Sequence, residues 1–412
     1  MLRRELLSFG GLMLAAPHVS LAQIGAQTAK RTPLFLSGLG PVLTLFQLDV
    51  AGAKLIKKAS LKFPVPVQYV WPHPTQPVIY VSSAELPSRV PGAAMPATGQ
   101  FLSAVKVDVA AGKLTLHGSH VAVPARANHI TVDHGGSYLL SSHPQPKSLL
   151  MVHRINADLL IGASVPQAAD LPLGIYSHQV RVLPSNKAVI QVARGNNATA
   201  TTPEDPGSLR VFRFDKGRLT PNGVVAPNGG YGFGPRHLDF HPTQPWVYVS
   251  LERQNAMHMY RLRDDNLEAT PAFVRNLLEH PEHVAVGQIA GPIHVHPNGR
   301  TLYCANRGDS ENHAESGENN VVVFDLNPRT GEPARIQTVD AHGFHPRTFS
   351  LDASGKVLVV GNLQSRQDAG RVTPCTAATF HAGNDGRLEF AQSYDLNAKP
   401  EETEFWSGVV TL

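Results

Sequence analysis

A pattern of two apolar runs separated by a turn recurs along this chain, with starts about 50–60 residues apart. In each copy the turn is rich in Pro, Gly, Asn or Asp, and the second run ends in a polar or charged residue. Such a unit is too small to bury its own apolar face, so neighbouring units must stack, as in a β-propeller. The copies span residues 67–85, 128–143, 178–194, 235–252, 293–307 and 347–364.

The copy that begins near Arg236 shows how one unit is built. Alternating apolar and polar positions and the residues at the turns favour antiparallel strands over helices. Four such strands make one propeller blade. They are predicted at residues 236–241, 246–250, 257–262 and 272–277.

The two chain ends predict how the ring closes. Residues 34–36, 43–48 and 54–61 resemble the second, third and fourth strands of a blade, and residues 405–412 resemble a lone first strand. Pairing them completes a seventh blade and removes exposed sheet edges. We therefore predict an all-β fold, a seven-bladed propeller of four-stranded antiparallel blades, as one domain over residues 23–412. A pair of β-sandwiches is the alternative.

Composition narrows the class of partner. The 412 residues are 42% hydrophobic, enough for a large core, and the net charge of +4 comes from mixed charges. No basic run is interleaved with aromatic residues, so nucleic-acid binding is not expected. A small anionic substrate is compatible with this charge.

The first residues have the pattern of a bacterial export signal. Arg3 and Arg4 precede a weakly apolar run over residues 6–16, and residues 20–22, Ser-Leu-Ala, form a small-x-small cleavage site. We predict a signal at residues 1–22, of the twin-arginine or Sec type, and a periplasmic or secreted protein. The run is too short for a membrane anchor, so no membrane attachment is expected after cleavage.

Two cysteines, Cys304 and Cys375, leave their redox state open. An oxidising compartment would permit a disulfide, and two buried thiols are equally consistent with the sequence.

The repeat also predicts where a site can lie. In a propeller, residues at the start of each first strand and just after each second strand face one mouth of the central channel. The convergent charges indicate either a salt-bridge network around a water-filled channel or a functional site. The first-strand positions are His129, His178, Arg236 and Arg347, and the second-strand positions are Glu85, His143, Arg194, Glu252, Arg307 and Gln364.

Three kinds of side chain in this set suggest a chemistry. Glu252 could activate water or accept a proton from a carbon acid, and His178 could shuttle a proton. Arg236 and Arg307 present forked donors suited to a carboxylate or a developing oxyanion. The combination suits the opening or closing of a lactone that carries an acidic group.

The chain resembles a known family over about residues 33–412. The resemblance rests on Pro235-Arg236-His237, on Tyr-Val-Ser-Leu-Glu at 248–252, on the run 296–307 and on Arg-Thr-Phe-Ser-Leu-Asp at 347–352. It is similar to the seven-bladed lactonases, which include propeller-type 6-phosphogluconolactonases and fungal carboxymuconate lactonising enzymes. The resemblance implies a catalytic quartet of His178, Arg236, Glu252 and Arg307. The remaining channel positions, predicted to bind substrate, are Glu85, His129, His143, Arg194, Arg347 and Gln364.

Some positions depart from the family pattern. Leu251 stands where asparagine commonly precedes the glutamate, Ser142-His143 replaces a small-Asn-Tyr ending, and Leu363 stands where glutamine often follows Asn362. These positions face the same mouth, which indicates an altered substrate preference or lost activity.

Histidine pairs invite a metal hypothesis that the repeat argues against. His294 and His296 could chelate from one strand face, but His296 precedes Pro, as His73 and His241 do in other copies. A repeated turn residue explains these positions better. No carboxylate set resembles a calcium site and no dinucleotide fingerprint occurs, so no metal or cofactor is expected.

Together these features predict an exported, metal-independent, monomeric lactone hydrolase acting on a carboxylated or sugar-acid lactone. The alternatives are a muconate-type lactonising cycloisomerase and a non-catalytic propeller that binds a ligand or a protein.

Overall fold

Seven antiparallel sheets, six of four strands and one with a short fifth strand, form a ring in this computed structural model, which confirms the predicted seven-bladed propeller. The structure describes residues 32–85, 98–308, 317–364, 366–368, 371–396 and 404–412. The predicted export signal, residues 1–22, lies outside the described residues.

The closing blade contains strands from both chain ends: β1 (Pro33–Leu39), β2 (Val42–Asp49), β3 (Lys54–Lys62) and β31 (Glu404–Thr411). Blade 1 contains β4 (Val67–Pro72), β5 (Val78–Ala84), β6 (Gln100–Asp108) and β7 (Lys113–Ala122). Blade 2 contains β8 (His129–Val132), β9 (Tyr138–His143), β10 (Leu149–Ile155) and β11 (Ile161–Ser164). Blade 3 contains β12 (Ser177–Val182), β13 (Ala188–Ala193), β14 (Ser208–Asp215) and β15 (Arg218–Val225).

A 3₁₀ turn, Pro227–Gly230, leads into blade 4. Blade 4 contains β16 (Pro235–Phe240), β17 (Trp246–Leu251), β18 (Ala256–Arg263), β19 (Asn266–Leu267) and β20 (Phe273–Asn276). Blade 5 contains β21 (Gln288–Val295), β22 (Thr301–Gly308), β23 (Asn320–Leu326) and β24 (Pro333–Asp340). Blade 6 contains β25 (Phe344–Leu351), β26 (Val357–Gln364), β29 (Thr376–Ala382) and β30 (Leu388–Asp395), with a side hairpin of β27 (Arg366–Asp368) and β28 (Arg371–Thr373).

The ring closes where β31 pairs antiparallel with β1, from Pro33 opposite Thr411 to Leu39 opposite Glu404. Trp406 of β31 is buried in the same apolar cluster as Leu36 of β1. The predicted completion of one blade from both ends of the chain is therefore confirmed.

Bulges occur at corresponding places in several first strands. The register shifts between Ser177 and Gln179 in β12, between Pro235 and His237 in β16, and between Pro346 and Thr348 in β25. The extra residues are His178, Arg236 and Arg347. A bulge re-aims the side chain of its extra residue, so the strand itself directs these groups towards the channel mouth.

The histidines that precede proline are turn residues that also join neighbouring blades. Nδ1 of His296 accepts the backbone N–H of Asn298 at 3.0 Å, and Nε2 donates to the carbonyl of Gly355 in the next blade at 2.9 Å. His73 with Gly136 and His241 with Gly299 repeat the blade-to-blade bond at 3.2 and 2.8 Å.

The two cysteines, Cys304 and Cys375, are buried thiols that are not joined by a disulfide. Sγ of Cys375 donates to the carbonyl of Leu363 at 2.9 Å. Within the described ranges, no helix has the length and apolar character needed to cross a membrane.

The histidine-to-glycine contact predicts a specific cost for adding one methyl group. Gly355 has φ +72°, and a Cβ there would lie 2.2 Å from Cε1 of His296, whereas Gly232 has φ +68° and open space around its Cβ position. We expect Gly232→Ala to lower the free energy of unfolding by about 1 kcal/mol through backbone strain alone. We expect Gly355→Ala to lower it by roughly 2–4 kcal/mol, because the clash adds to the strain. Urea unfolding of both variants measures the difference, and equal losses would contradict the role given to His296.

Candidate active site

A polar cavity of about 550 Å³ lies at the mouth of the channel where the first strands begin. Its charged side chains come from blades on different sides of the ring. The cavity is lined by Arg126, Asn128, Tyr176, His178, Arg194, Asn197, Arg236, Glu252, Arg253, Gly287, Gln288, Ile289, Arg307, His345, Arg347 and Leu363.

The carboxylate of Glu252, just after β17, connects three blades. Its Oε1 is 2.9 Å from Nε of Arg236 in the same blade and also contacts NH2 of Arg307 from blade 5. Its Oε2 is 3.0 Å from NH1 of Arg194, which follows blade 3's second strand. One buried carboxylate thus holds three guanidinium groups in fixed relative positions.

The neighbouring positive charges change the pKa of Glu252 more than its burial does. Burial alone would raise the pKa of this carboxyl group, but the charges of Arg307, Arg236 and Arg194 lower the pKa to about 2. Glu252 is therefore ionised at neutral pH and is a weak proton acceptor.

His178, unlike the ionised Glu252, is uncharged at neutral pH. Its ring lies between Tyr176, stacked at 6.3 Å, and His237, at 5.1 Å between centroids. Burial, and then the charge of Arg236, lowers the pKa of His178 well below its usual value. The imidazole is therefore neutral at pH 7 and has a lone pair available to accept a proton.

Arg307 is held from its far side by His345. NH1 of Arg307 donates to Nε2 of His345 at 2.9 Å, and Nδ1 of His345 donates to the carbonyl of Gly308 at 2.6 Å. This pair of bonds defines a neutral tautomer with its proton on Nδ1. His345 lies two residues before Arg347, and such spacing on a strand, which puts side chains on one face, is the signal that could have identified it.

The structure brings the predicted quartet into this single cavity, together with Arg194 and Arg347. The burial of Arg347, and then the charge of Arg307, lowers the pKa of the Arg347 guanidinium to about 10. Glu85, His129 and His143 do not line the cavity.

Strand register explains those three placements. In β16 and β17, His237 pairs with Ser250, and Glu252 follows two residues later. The same count puts Ala84 in blade 1, one residue before Glu85, because Tyr69 pairs with Ser82. A shift of one residue turns a side chain to the other face of a strand.

A shift of one residue also explains the placements in blade 2. Asn128, one residue before His129, lines the cavity, whereas the ring of His129 packs 4.3 Å from that of Tyr69. His143 is buried and bonds Ser141 and the carbonyl of Ala125.

In blade 6 Leu363 lines the cavity. The side chain of the predicted Gln364 lies outside the described part of the chain.

The side chain of Asn128 links Arg126 to the backbone at His178. It accepts a bond from NH2 of Arg126 at 2.9 Å and donates to the carbonyl of His178 at 3.2 Å. The sequence did not identify three residues of the cavity lining, because Arg126 and Tyr176 precede the predicted copies and His129 was chosen in place of Asn128, which begins its copy.

The segment over residues 196–207, between β13 and β14, borders the cavity through Asn197. Glu204 forms an ion pair with Arg253, and Arg253 donates through NH2 to the carbonyl of Arg194 at 2.8 Å. Across the described ranges, no group of three or more His, Cys, Asp or Glu side chains is placed to hold a metal ion.

Comparison with known proteins shows the family to which the chain belongs. The model of the family described as "Lactonase, 7-bladed beta-propeller" matches residues 35–373. The chain belongs to this family.

Individual relatives have low sequence identity to this chain. A 6-phosphogluconolactonase of Bacillus subtilis is 24% identical over 273 residues, which cover 64% of this chain and 71% of that protein. The solved structure of the Pseudomonas aeruginosa periplasmic gluconolactonase, PpgL, superposes with a TM-score of 0.67 at 19% identity, over 90% of this chain and 98% of that one. A Lactobacillus plantarum protein reaches a TM-score of 0.70 at 18% identity, covering 93% of this chain and 99% of that one.

Removing the shared carboxylate should destabilise the site and make it dependent on anions. Glu252→Gln leaves Arg194, Arg236 and Arg307 facing one another, so we expect the free energy of unfolding to fall by roughly 3–5 kcal/mol. Added sulfate should restore part of this loss by binding the guanidinium groups of the folded state. Thermal unfolding with and without sulfate measures both effects. The matched control is Glu282→Gln, at an exposed ion pair with His280, and an equal sulfate response there would contradict the prediction.

The stability difference between the wild type and Glu252→Gln should depend on pH. The pKa of Glu252 is about 2 in the folded state against an ordinary 4.5, so its ionised form stabilises the fold. This stabilisation is complete above the ordinary value and is lost as the pH falls towards the folded-state pKa. The stability difference between wild type and Glu252→Gln should therefore shrink between pH 5 and pH 2, approximately, when followed by urea unfolding. A difference that stays constant would contradict it.

Proposed function

We propose that this chain is an exported, metal-independent lactone hydrolase whose reaction takes place in the arginine-lined mouth of the channel. Membership of the lactonase family supports lactone hydrolysis. The observation that carries the proposal is the neutral, buried His178 beside guanidinium groups that one carboxylate holds in place.

The charge of the cavity favours an anionic lactone. Arg253 is paired with Glu204, and among the described residues of the lining the other arginines outnumber the carboxylate of Glu252. A substrate carboxylate or another acidic group would offset this positive surplus. We therefore propose a carboxylated or sugar-acid lactone as the substrate class.

Each residue of the quartet then has a role in the hydrolysis. The lactone carbonyl oxygen lies towards Arg236 and Arg307, which stabilise the negative charge as water adds to the carbonyl carbon. His178 accepts a proton from that water. When the ring C–O bond breaks, His178 returns the proton to the leaving ring oxygen, and the product is a hydroxy acid.

Glu252 has a structural and electrostatic role in this scheme. Both oxygens of its carboxylate are engaged by guanidinium groups, which also lower its pKa to about 2, so Glu252 is poorly placed to accept a proton from water. Its ion pairs instead fix the positions of Arg236 and Arg307 before substrate arrives. The proposal therefore gives proton transfer to His178 and preorganisation to Glu252.

The remaining parts of the proposal concern location and assembly. The arginine pair, apolar run and cleavage site within residues 1–22 support export. The similar Pseudomonas aeruginosa structure is described as periplasmic, which agrees with export. We propose a monomer that binds neither nucleic acid nor membrane after signal cleavage.

The role of His178 predicts a specific loss of rate. His178→Asn should lower kcat by about 10²–10⁴-fold on the best substrate from a panel of sugar-acid and carboxylated lactones. In wild type, kcat/KM should stay constant from pH 8 through pH 6, roughly, and fall only in more acidic solution, because protonation of His178 removes the acceptor. His117→Asn, on the outer strand β7, is the control and should keep wild-type rates. A chelator should leave the wild-type rate unchanged, and a wild-type rate in His178→Asn would refute the assignment.

Isotope incorporation distinguishes hydrolysis from the reverse, lactonising chemistry. In ¹⁸O-labelled water, hydrolysis by acyl cleavage should place one solvent oxygen in the product carboxylate. A cycloisomerase would instead interconvert muconate-type acids and lactones without incorporating solvent oxygen. Mass spectrometry of the products decides between them, and no turnover on the whole panel would favour a non-catalytic binding propeller.

A further inference from the structure

The channel contains a second cavity, of about 320 Å³, at its opposite end. The innermost strands of all seven blades contribute to its walls, and where a strand lines both cavities its residues in the second cavity come later along the chain. His237 lines this cavity, and its ring contacts that of His178, which lines the arginine site. The two cavities therefore share one channel but have separate linings.

Aromatic side chains form much of the wall. Tyr69, Trp71, Phe349 and Trp406 all line the cavity, with the rings of Tyr69 and Trp406 5.6 Å apart. Burial raises the pKa of Tyr69 to about 12, so its hydroxyl stays neutral. A cavity of this size with aromatic walls suits a planar ring.

A partly buried ion pair provides the polar part of the cavity. The guanidinium of Arg181 lies 5.2 Å from the ring centre of Trp71 and 5.5 Å from that of Phe240. Its NH2 donates to Oδ1 of Asp239 at 3.0 Å, and its NH1 donates to the carbonyl of Leu238 at 3.2 Å. Both the stacking and the bonds fix the orientation of this guanidinium.

The carboxylate oxygens of Asp239 already have partners within the protein. Besides Arg181, it accepts the backbone N–H of Val295 at 3.0 Å, and Nδ1 of His294 lies 3.4 Å from Oδ2. A guanidinium has five N–H donors, and the bonds to Asp239 and Leu238 use two of the five on Arg181. Among the described residues, the other three N–H donors of Arg181 therefore remain available to a ligand.

We propose that this second cavity binds a small aromatic carboxylate. The ring would lie among Tyr69, Trp71 and Trp406, and the carboxylate would accept from Arg181. A carboxylate is the ligand group that best complements a guanidinium whose protein acceptor is saturated. This inference does not depend on the proposed hydrolysis, because it uses none of the quartet.

Binding of benzoate to the mature chain tests the proposal, with cyclohexanecarboxylate and benzyl alcohol as probes that lack the aromatic ring or the charge. Calorimetry should show benzoate binding at least about tenfold more tightly than either probe. Trp71→Leu should weaken benzoate about tenfold through loss of the ring contact. The double variant Arg181→Met with Asp239→Asn removes both charges together, so it leaves no unpaired ion and should abolish the preference for benzoate over benzyl alcohol.

Arg194→Met changes a side chain that lines only the first, arginine-lined cavity, so it should leave benzoate affinity unchanged and serves as the matched control. Three outcomes would overturn the proposal. One is no saturable benzoate binding up to about 10 mM. Another is loss of binding in Arg194→Met with retention in the double variant, which would place benzoate in the arginine-lined cavity. The third is equal binding of all three probes. If the double variant does not fold, Trp71→Leu and a benzoate-soaked crystal structure still decide where the probe lies.

Discussion

The pairing of β31 with β1 is the contact on which the ring depends. Each blade packs its apolar residues against its neighbours, so an open ring would expose two blade faces as well as two strand edges. The closing pair extends over seven residue partners, from Pro33–Thr411 to Leu39–Glu404. Only in the closed ring do the first strands of distant blades surround one channel, and both cavities are built from those strands.

Much of the fold could be predicted from the sequence because the repeat carries two independent signals. Alternation of apolar and polar residues indicates strands, and the spacing of the copies gives the number of blades. The chain ends were predictable because each carried part of a blade that the other completed. These signals depend on average properties of many residues, so a one-residue error in any copy leaves the predicted architecture intact.

The site is less tolerant of such errors. The sequence could bring Arg236, Glu252, His178 and Arg307 together because two of them lie at first-strand bulges and two at the ends of second strands. His129 and His143 were placed by the same counting and do not line the cavity, since one residue of register reverses the direction of a side chain. His345 could not be predicted as a partner of Arg307, because their bond joins different blades across 38 residues of sequence.

The histidine-to-glycine bonds between blades have a consequence for how such a protein can evolve. His296 and Gly355 belong to different repeats 59 residues apart, yet neither is useful without the other. A blade duplicated or exchanged as a unit would carry the histidine of one bond and the glycine of another. It would insert without clashes only where its new neighbours supply the matching halves. The repeats of this propeller are therefore similar but not interchangeable. The His–Gly bonds between neighbouring blades restrict the order in which the blades can follow one another.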